Sequence, residues 1–118
     1  MSYINKPGKT ASWRQMVIRQ QVSDVFAYGK IKTTFTKAKE TQKHVDGVIT
    51  LAKKGTLEAK RKIMSIIKPN KMFDRNALLK KILEIVKKYP SRKGGYTRVL
   101  RLGKRPGDRT EVAIIELV

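Results

Sequence analysis

The chain has 118 residues, enough for one domain with a real hydrophobic core. Twenty-eight lysines and arginines stand against nine acids, a formal charge of +19 at pH 7. That excess goes beyond a merely well-solvated surface and points to a polyanionic partner, nucleic acid ahead of an anionic membrane surface. The lack of cysteine excludes disulfides and thiolate metal sites and fits a reducing compartment.

In chain order, residues 1–11 read as an extended basic arm around Pro7-Gly8, and 12–118 as a single α+β domain. The arm lacks the apolar run of a signal peptide, and no stretch approaches the length of a membrane span, so a soluble, cytoplasmic protein is expected. "SWRQ" offers Ser12 as an N-cap with Gln15 three residues on, a capping-box pattern. Ile18, Val22, Val25 and Phe26 then recur on one face of a first helix, which Gly29 ends. "KIKTTF" from Lys30 to Phe35 alternates lysine with β-branched residues and reads as an edge-type strand. Thr36 is placed to cap a second helix, whose stripe is Ala38, Val45, Val48, Ile49 and Ala52, with Gly55 closing it.

Thr56 caps a third helix carrying Ile63, Met64, Ile66 and Ile67, and Pro69 stops it. Asp74 caps a fourth, with Leu78, Leu79, Ile82, Leu83, Ile85 and Val86, and Tyr89-Pro90 ends that one. Tyr96–Leu102 and Val112–Val118 are two β-rich arms joined through a Pro106-Gly107 turn, a hairpin. Arg98 and Leu100 share a parity on the first arm, so the alternation is imperfect and a bulge or twist is expected. On the second arm Ala113, Ile115 and Leu117 share the core face, and the arginines of the first arm are expected to point outward. The order is helix, strand, three helices and β-hairpin, an α+β fold with a small mixed sheet packed against helices.

Little here supports catalysis, and no small-molecule substrate or cofactor is implied. No two of the nine acids are marked as the close pair that general acid/base or two-metal chemistry needs. His44, the only histidine, has its nearest acid at Asp46 on another side of the helix and reads as a surface or boundary residue. "KGGYTR" enters a strand, whereas a phosphate-binding P-loop must open a helix, so that reading is rejected. A turn and an anion-binding nest of backbone N–H groups remain, and the two are compatible.

Arginine is the more telling cation, because guanidinium binds phosphate bidentately and stacks on bases. Arg14 and Arg19 fall on the first helix, while Arg92, Arg98, Arg101, Arg105 and Arg109 crowd the C-terminal segment. Trp13 and Tyr96 adjoin arginines and are read equally as stacking platforms or as core. No zinc-finger ligands, basic heptads or aromatic RNP signature are present, so recognition of backbone and shape is the better reading.

"SWRQMVIR", "IKTTFTKAKE", "VITLAKKGTL" and "SRKGGYTRVLRLGKRPGDRTEVAIIELV" follow one another in order from Ser12 to Val118, so the likeness they carry runs over nearly the whole length. In these segments the sequence resembles the bacterial large-subunit ribosomal protein family numbered seventeen. Arg14, Arg19, Thr33, Thr34, Lys37, Gly94, Gly95, Tyr96 and Arg98 match its pattern residue by residue. Two departures stand out: the N-terminal arm supplies only Lys6 and Lys9 where the family has a denser basic run, and Trp13 stands where histidine is usual.

The resemblance implies a non-enzymatic protein that binds large-subunit ribosomal RNA near the peptide exit side, beside neighbouring ribosomal proteins. The expected RNA-binding residues are Lys6, Lys9, Arg14, Arg19, Lys32, Lys37, Arg92, Lys93, Tyr96, Arg98, Arg101, Lys104 and Arg105. The same charge admits a sequence-nonspecific DNA-packaging protein as the alternative. The hairpin is the main candidate surface.

Overall fold

The computed structural model describes residues 11–70, 73–91 and 94–118. Four helices, α1 (Ala11–Tyr28), α2 (Phe35–Lys54), α3 (Leu57–Ile66) and α4 (Arg75–Val86), accompany three strands. These are β1 (Lys30–Thr34), β2 (Thr97–Lys104) and β3 (Glu111–Leu117).

Local chemistry explains most of the boundaries. The Thr56 hydroxyl accepts from the Ala59 N–H at 3.1 Å, and the Asp74 carboxylate accepts from that of Ala77 at 2.7 Å. Each satisfies a donor that the first helical turn would leave orphaned. Gly55, with φ of 65°, closes α2 in the left-handed conformation and returns its N–H to Ala52.

Three expected boundaries move. Helix α1 starts at Ala11, so Ser12 lies inside its first turn and not at the cap. Thr34, not Thr36, holds the extended cap geometry of α2. Helix α4 ends at Val86, before Tyr89-Pro90, because the N–H groups of Lys87, Lys88 and Tyr89 each bond three residues back. That tighter winding dissipates the helix ahead of the proline.

The sheet order is β1-β3-β2, with β3 antiparallel to both neighbours. The expectation of a mixed sheet is thus corrected to an antiparallel one. Strands β1 and β2 do run parallel, but the last strand inserts between them and no parallel ladder forms. The register shifts between Arg101 and Gly103, leaving Leu102 as the extra residue of a β-bulge. Gly103 takes φ of 106° there, a value open to glycine and strained for any other residue.

The core lies on the helix side of the sheet. Ala113 and Ile115 of β3 are fully buried there, and Leu117 packs against the same cluster. Helices α1 and α2 contact the sheet directly, while α3 and α4 pack chiefly against those two helices. The apolar stripes read from the sequence are the ones buried: Ile18, Val22, Val25 and Phe26 of α1, and Ala38, Val45, Val48, Ile49 and Ala52 of α2.

Buried polar groups find partners and tie elements together. Thr41 donates to Gln21 Oε1 at 2.8 Å, and Gln21 Nε2 donates to Thr33 at 3.0 Å, linking α2, α1 and β1. Ser23 accepts from the Lys68 N–H at 2.8 Å, and Lys81 Nζ donates to the Ala27 carbonyl at 2.6 Å. The C-terminus is pinned by the Tyr89 hydroxyl, which donates to the Val118 carbonyl at 2.5 Å.

Candidate nucleic-acid interface

Residues directly opposite each other in an antiparallel ladder share a face. The register therefore defines the open face of the sheet, away from the helices. One row across it is Lys30, Glu116 and Arg98, and the next is Lys32, Ile114 and Leu100. A single carboxylate sits between two cations in the first row, with an apolar centre beside it. Arg98 donates through Nε to Glu116 Oε1 at 2.6 Å, yet its side chain remains 60% exposed. Leu100 and Leu102 are also exposed, at 44% and 52%.

Arg101 departs from the expected outward set. It lies opposite Ala113 and so carries the helix-side parity. At that end of the sheet its guanidinium reaches over the Phe35 ring, 4.1 Å from the centroid, with Nη1 3.6 Å from Glu111. The cation stacks on an aromatic face and stays exposed.

The hairpin tip is more ordered by its charges than the sequence suggests. Arg105 meets Asp108 in a two-pronged contact, Nε to Oδ1 at 3.2 Å and Nη2 to Oδ2 at 2.6 Å. The Thr110 N–H also donates to Asp108 Oδ1, at 3.0 Å. The Arg105 hydrogen bond holds the Asp108 carboxyl well below the usual carboxylate range, and the guanidinium pKa rises in return. Arg105 thus closes the turn, whereas Lys104 and Arg109 beside it are simply exposed.

A second basic group lies on the helices. Arg14 and Arg19 of α1 line a cleft of about 540 Å³ whose other walls come from α2 and α3. Lys37, in the first turn of α2, places Nζ 5.7 Å from the centroid of Trp13. Because Phe35 and Lys37 both belong to that turn, α2 begins between Arg101 of the hairpin and Trp13 of α1. The two basic groups converge on that turn.

Tyr96 is a correction. It is 2% exposed, its ring 5.4 Å from that of Tyr89 and tilted by 57°, with Lys53 Nζ 4.8 Å from its centroid. Burial in the core removes it as a stacking platform for a base. Trp13 does keep an exposed ring. Lys6, Lys9, Arg92 and Lys93 lie outside the described residues.

The structure also adds residues absent from the expected RNA-binding set. Lys30 joins Lys32 and Arg98 on the open face, a placement set by pairing with β3. His44 and Glu40 line the α1–α2 cleft, with Nε2 3.9 Å from Oε1. Their spacing of four along α2 was visible in the sequence, but the facing walls come from other helices.

Among the described residues no group of three metal-ligating side chains occurs, and no helix is long and apolar enough to cross a membrane. Helices on one side of an antiparallel sheet, with exposed cations on the other, define a basic α+β protein. The family model for ribosomal protein L17 matches residues 17–118, and the chain belongs to that family. It is accordingly a structural, non-enzymatic protein of the bacterial large ribosomal subunit, working in the cytoplasm as part of the ribosome.

Among its relatives is the large ribosomal subunit protein bL17 of Ureaplasma parvum, 57% identical over the full length of both chains. The protein of the same name from Malacoplasma penetrans is also 57% identical over the full length of both. That of Mycoplasma pneumoniae is 51% identical over 99% of this chain and 95% of its own.

Proposed function

We propose that this protein binds large-subunit ribosomal RNA and stabilises its folded form near the peptide exit side of the subunit, beside other ribosomal proteins. The observation that carries the reading is the open face of the sheet, where Lys30, Lys32 and Arg98 stand exposed around one carboxylate. A face with no helix against it among the described residues, and with a cationic border, suits a phosphate backbone. Arg101 and Lys104, exposed on the hairpin but at helix-side positions of the register, continue the proposed contact towards Arg14, Arg19 and Lys37 of the helices. Lys6, Lys9, Arg92 and Lys93 belong to the proposed contact set on sequence grounds.

Binding of the full chain to a large-subunit RNA transcript, measured across salt concentrations, tests the reading. Affinity should fall steeply with salt, as counterions released by each phosphate contact are recaptured. Duplex DNA competing as well as the transcript at physiological salt would favour the DNA-packaging alternative. Crosslinks from intact subunits to RNA remote from the exit side would remove the location.

A further inference from the structure

We propose that the cleft between α1, α2 and α3 receives one unstacked nucleotide of the RNA, and that guanine is the base it fits. The inference rests on the RNA-binding reading above and gives it a specific pocket. A nucleotide has a flat apolar body, an edge of donors and acceptors, and an anionic phosphate. The cleft offers a counterpart to each part. At about 540 Å³ it falls within the ordinary range of small-ligand sites.

Its floor is apolar: Val22 and Ile18 of α1 are buried and Ile66 of α3 is half-buried. Its rim carries Arg14 and Arg19, and guanidinium is the side chain best shaped for phosphate. The α2 wall carries Glu40 and His44, with 3.9 Å between Oε1 and Nε2. That separation is too long for a hydrogen bond, so the carboxylate keeps its capacity to accept.

Glu40 decides the ligand. A site built for phosphate alone gains nothing from a carboxylate, which repels the anion, and an acidic peptide would meet the same repulsion. A base edge rich in N–H groups suits it. Adenine and cytosine each present one exocyclic amino group. Guanine presents N1–H and N2–H side by side, which matches the two oxygens of a carboxylate as a guanidinium does. RNA exposes such edges where loops and bulges splay bases out of the stack.

Methyl and imidazole NMR on the full chain tests this, with 5′-GMP, AMP, CMP, UMP, inorganic phosphate and an acidic peptide as probes. GMP should shift the Ile18 and Ile66 methyls and the His44 ring saturably, with about tenfold weaker binding of the other nucleotides, the scale of one bidentate base contact. Glu40→Gln should erase the preference for GMP, and Arg19→Ala should weaken every nucleotide. Equal response to all four nucleotides, an equal response to phosphate alone, a stronger response to the peptide, or no saturable shift would each overturn the proposal. Binding of the same sample to the large-subunit transcript separates the two readings. Intact transcript binding with a silent cleft overturns the pocket alone, and loss of transcript binding counts against the proposed function.

Discussion

Arg98 and Glu116 face each other across the β2–β3 ladder, with Nε 2.6 Å from Oε1, and Lys30 stands opposite the same acid in the β1–β3 register. An exposed pair of this kind adds about 0–1 kcal/mol to stability. On the proposed RNA-binding reading its larger effect is on binding, because the carboxylate occupies a guanidinium that an RNA phosphate would otherwise engage. Glu116→Gln should therefore tighten RNA binding, and Arg98→Ala should weaken it and make the logarithmic salt slope shallower by about one unit. Titrations at several salt concentrations read both effects. An unchanged slope in Arg98→Ala would show that this side chain faces no phosphate.

Tyr96 belongs to the core, so its removal should register in folding before binding. Tyr96→Ala should cost about 3–5 kcal/mol, the range for truncating a large buried aromatic. Urea unfolding measures the loss, and transcript binding at low temperature, where the variant remains folded, should match the parent chain. A small stability change with lost binding would return Tyr96 to the interface.

Asp74 accepts the Ala77 N–H at the start of α4 without touching the proposed RNA-binding surface. Asp74→Ala should lower unfolding free energy by about 1 kcal/mol, the usual value of an N-cap. RNA affinity should not change, which distinguishes this site from the open face. Paired urea and binding curves on one preparation provide the check.

Arg109 has φ of 56°, the left-handed region, in the turn before β3. A side chain there costs roughly 1–2 kcal/mol, and the extra chain entropy of glycine offsets roughly 0.5–1 of it. Arg109→Gly should therefore stabilise the hairpin by about 0.5 kcal/mol, seen as a small rise in melting temperature. A fall would show that the guanidinium makes a stabilising contact of its own.

Two carboxylates should respond to pH with opposite signs. Burial pushes Asp46 above its ordinary 3.8, although the Thr97 hydroxyl and the Tyr96 backbone act against that shift. The folded chain then binds this proton more readily than the unfolded one, so ionisation of Asp46 costs stability as pH rises through the carboxylate range. Asp46→Asn should be the more stable protein at neutral pH, with an advantage that fades in acid. Asp108 behaves in the reverse sense, because Arg105 holds its pKa down. Its contribution is present above about 3.8 and is lost as pH falls, so Asp108→Asn should be destabilising at neutral pH only. Urea midpoints followed from neutral to acid pH resolve both signs.

The four helices, their buried faces, the Thr56 and Asp74 caps and the C-terminal hairpin are legible in the residues alone. Each depends on residues within a turn or two of one another, where periodicity and capping chemistry act. The broken alternation at Arg98–Leu102 foretold the bulge for the same reason. Long-range packing set the insertion of β3 between β1 and β2, which makes the sheet antiparallel and gathers Lys30, Lys32 and Arg98 on one open face. It likewise decided that Tyr96 goes inside, that Arg101 turns to Phe35 and that Glu40 and His44 face α1. Those outcomes depend on partners far away in the chain, and a residue's near neighbours carry no record of what packs over it or pairs beside it.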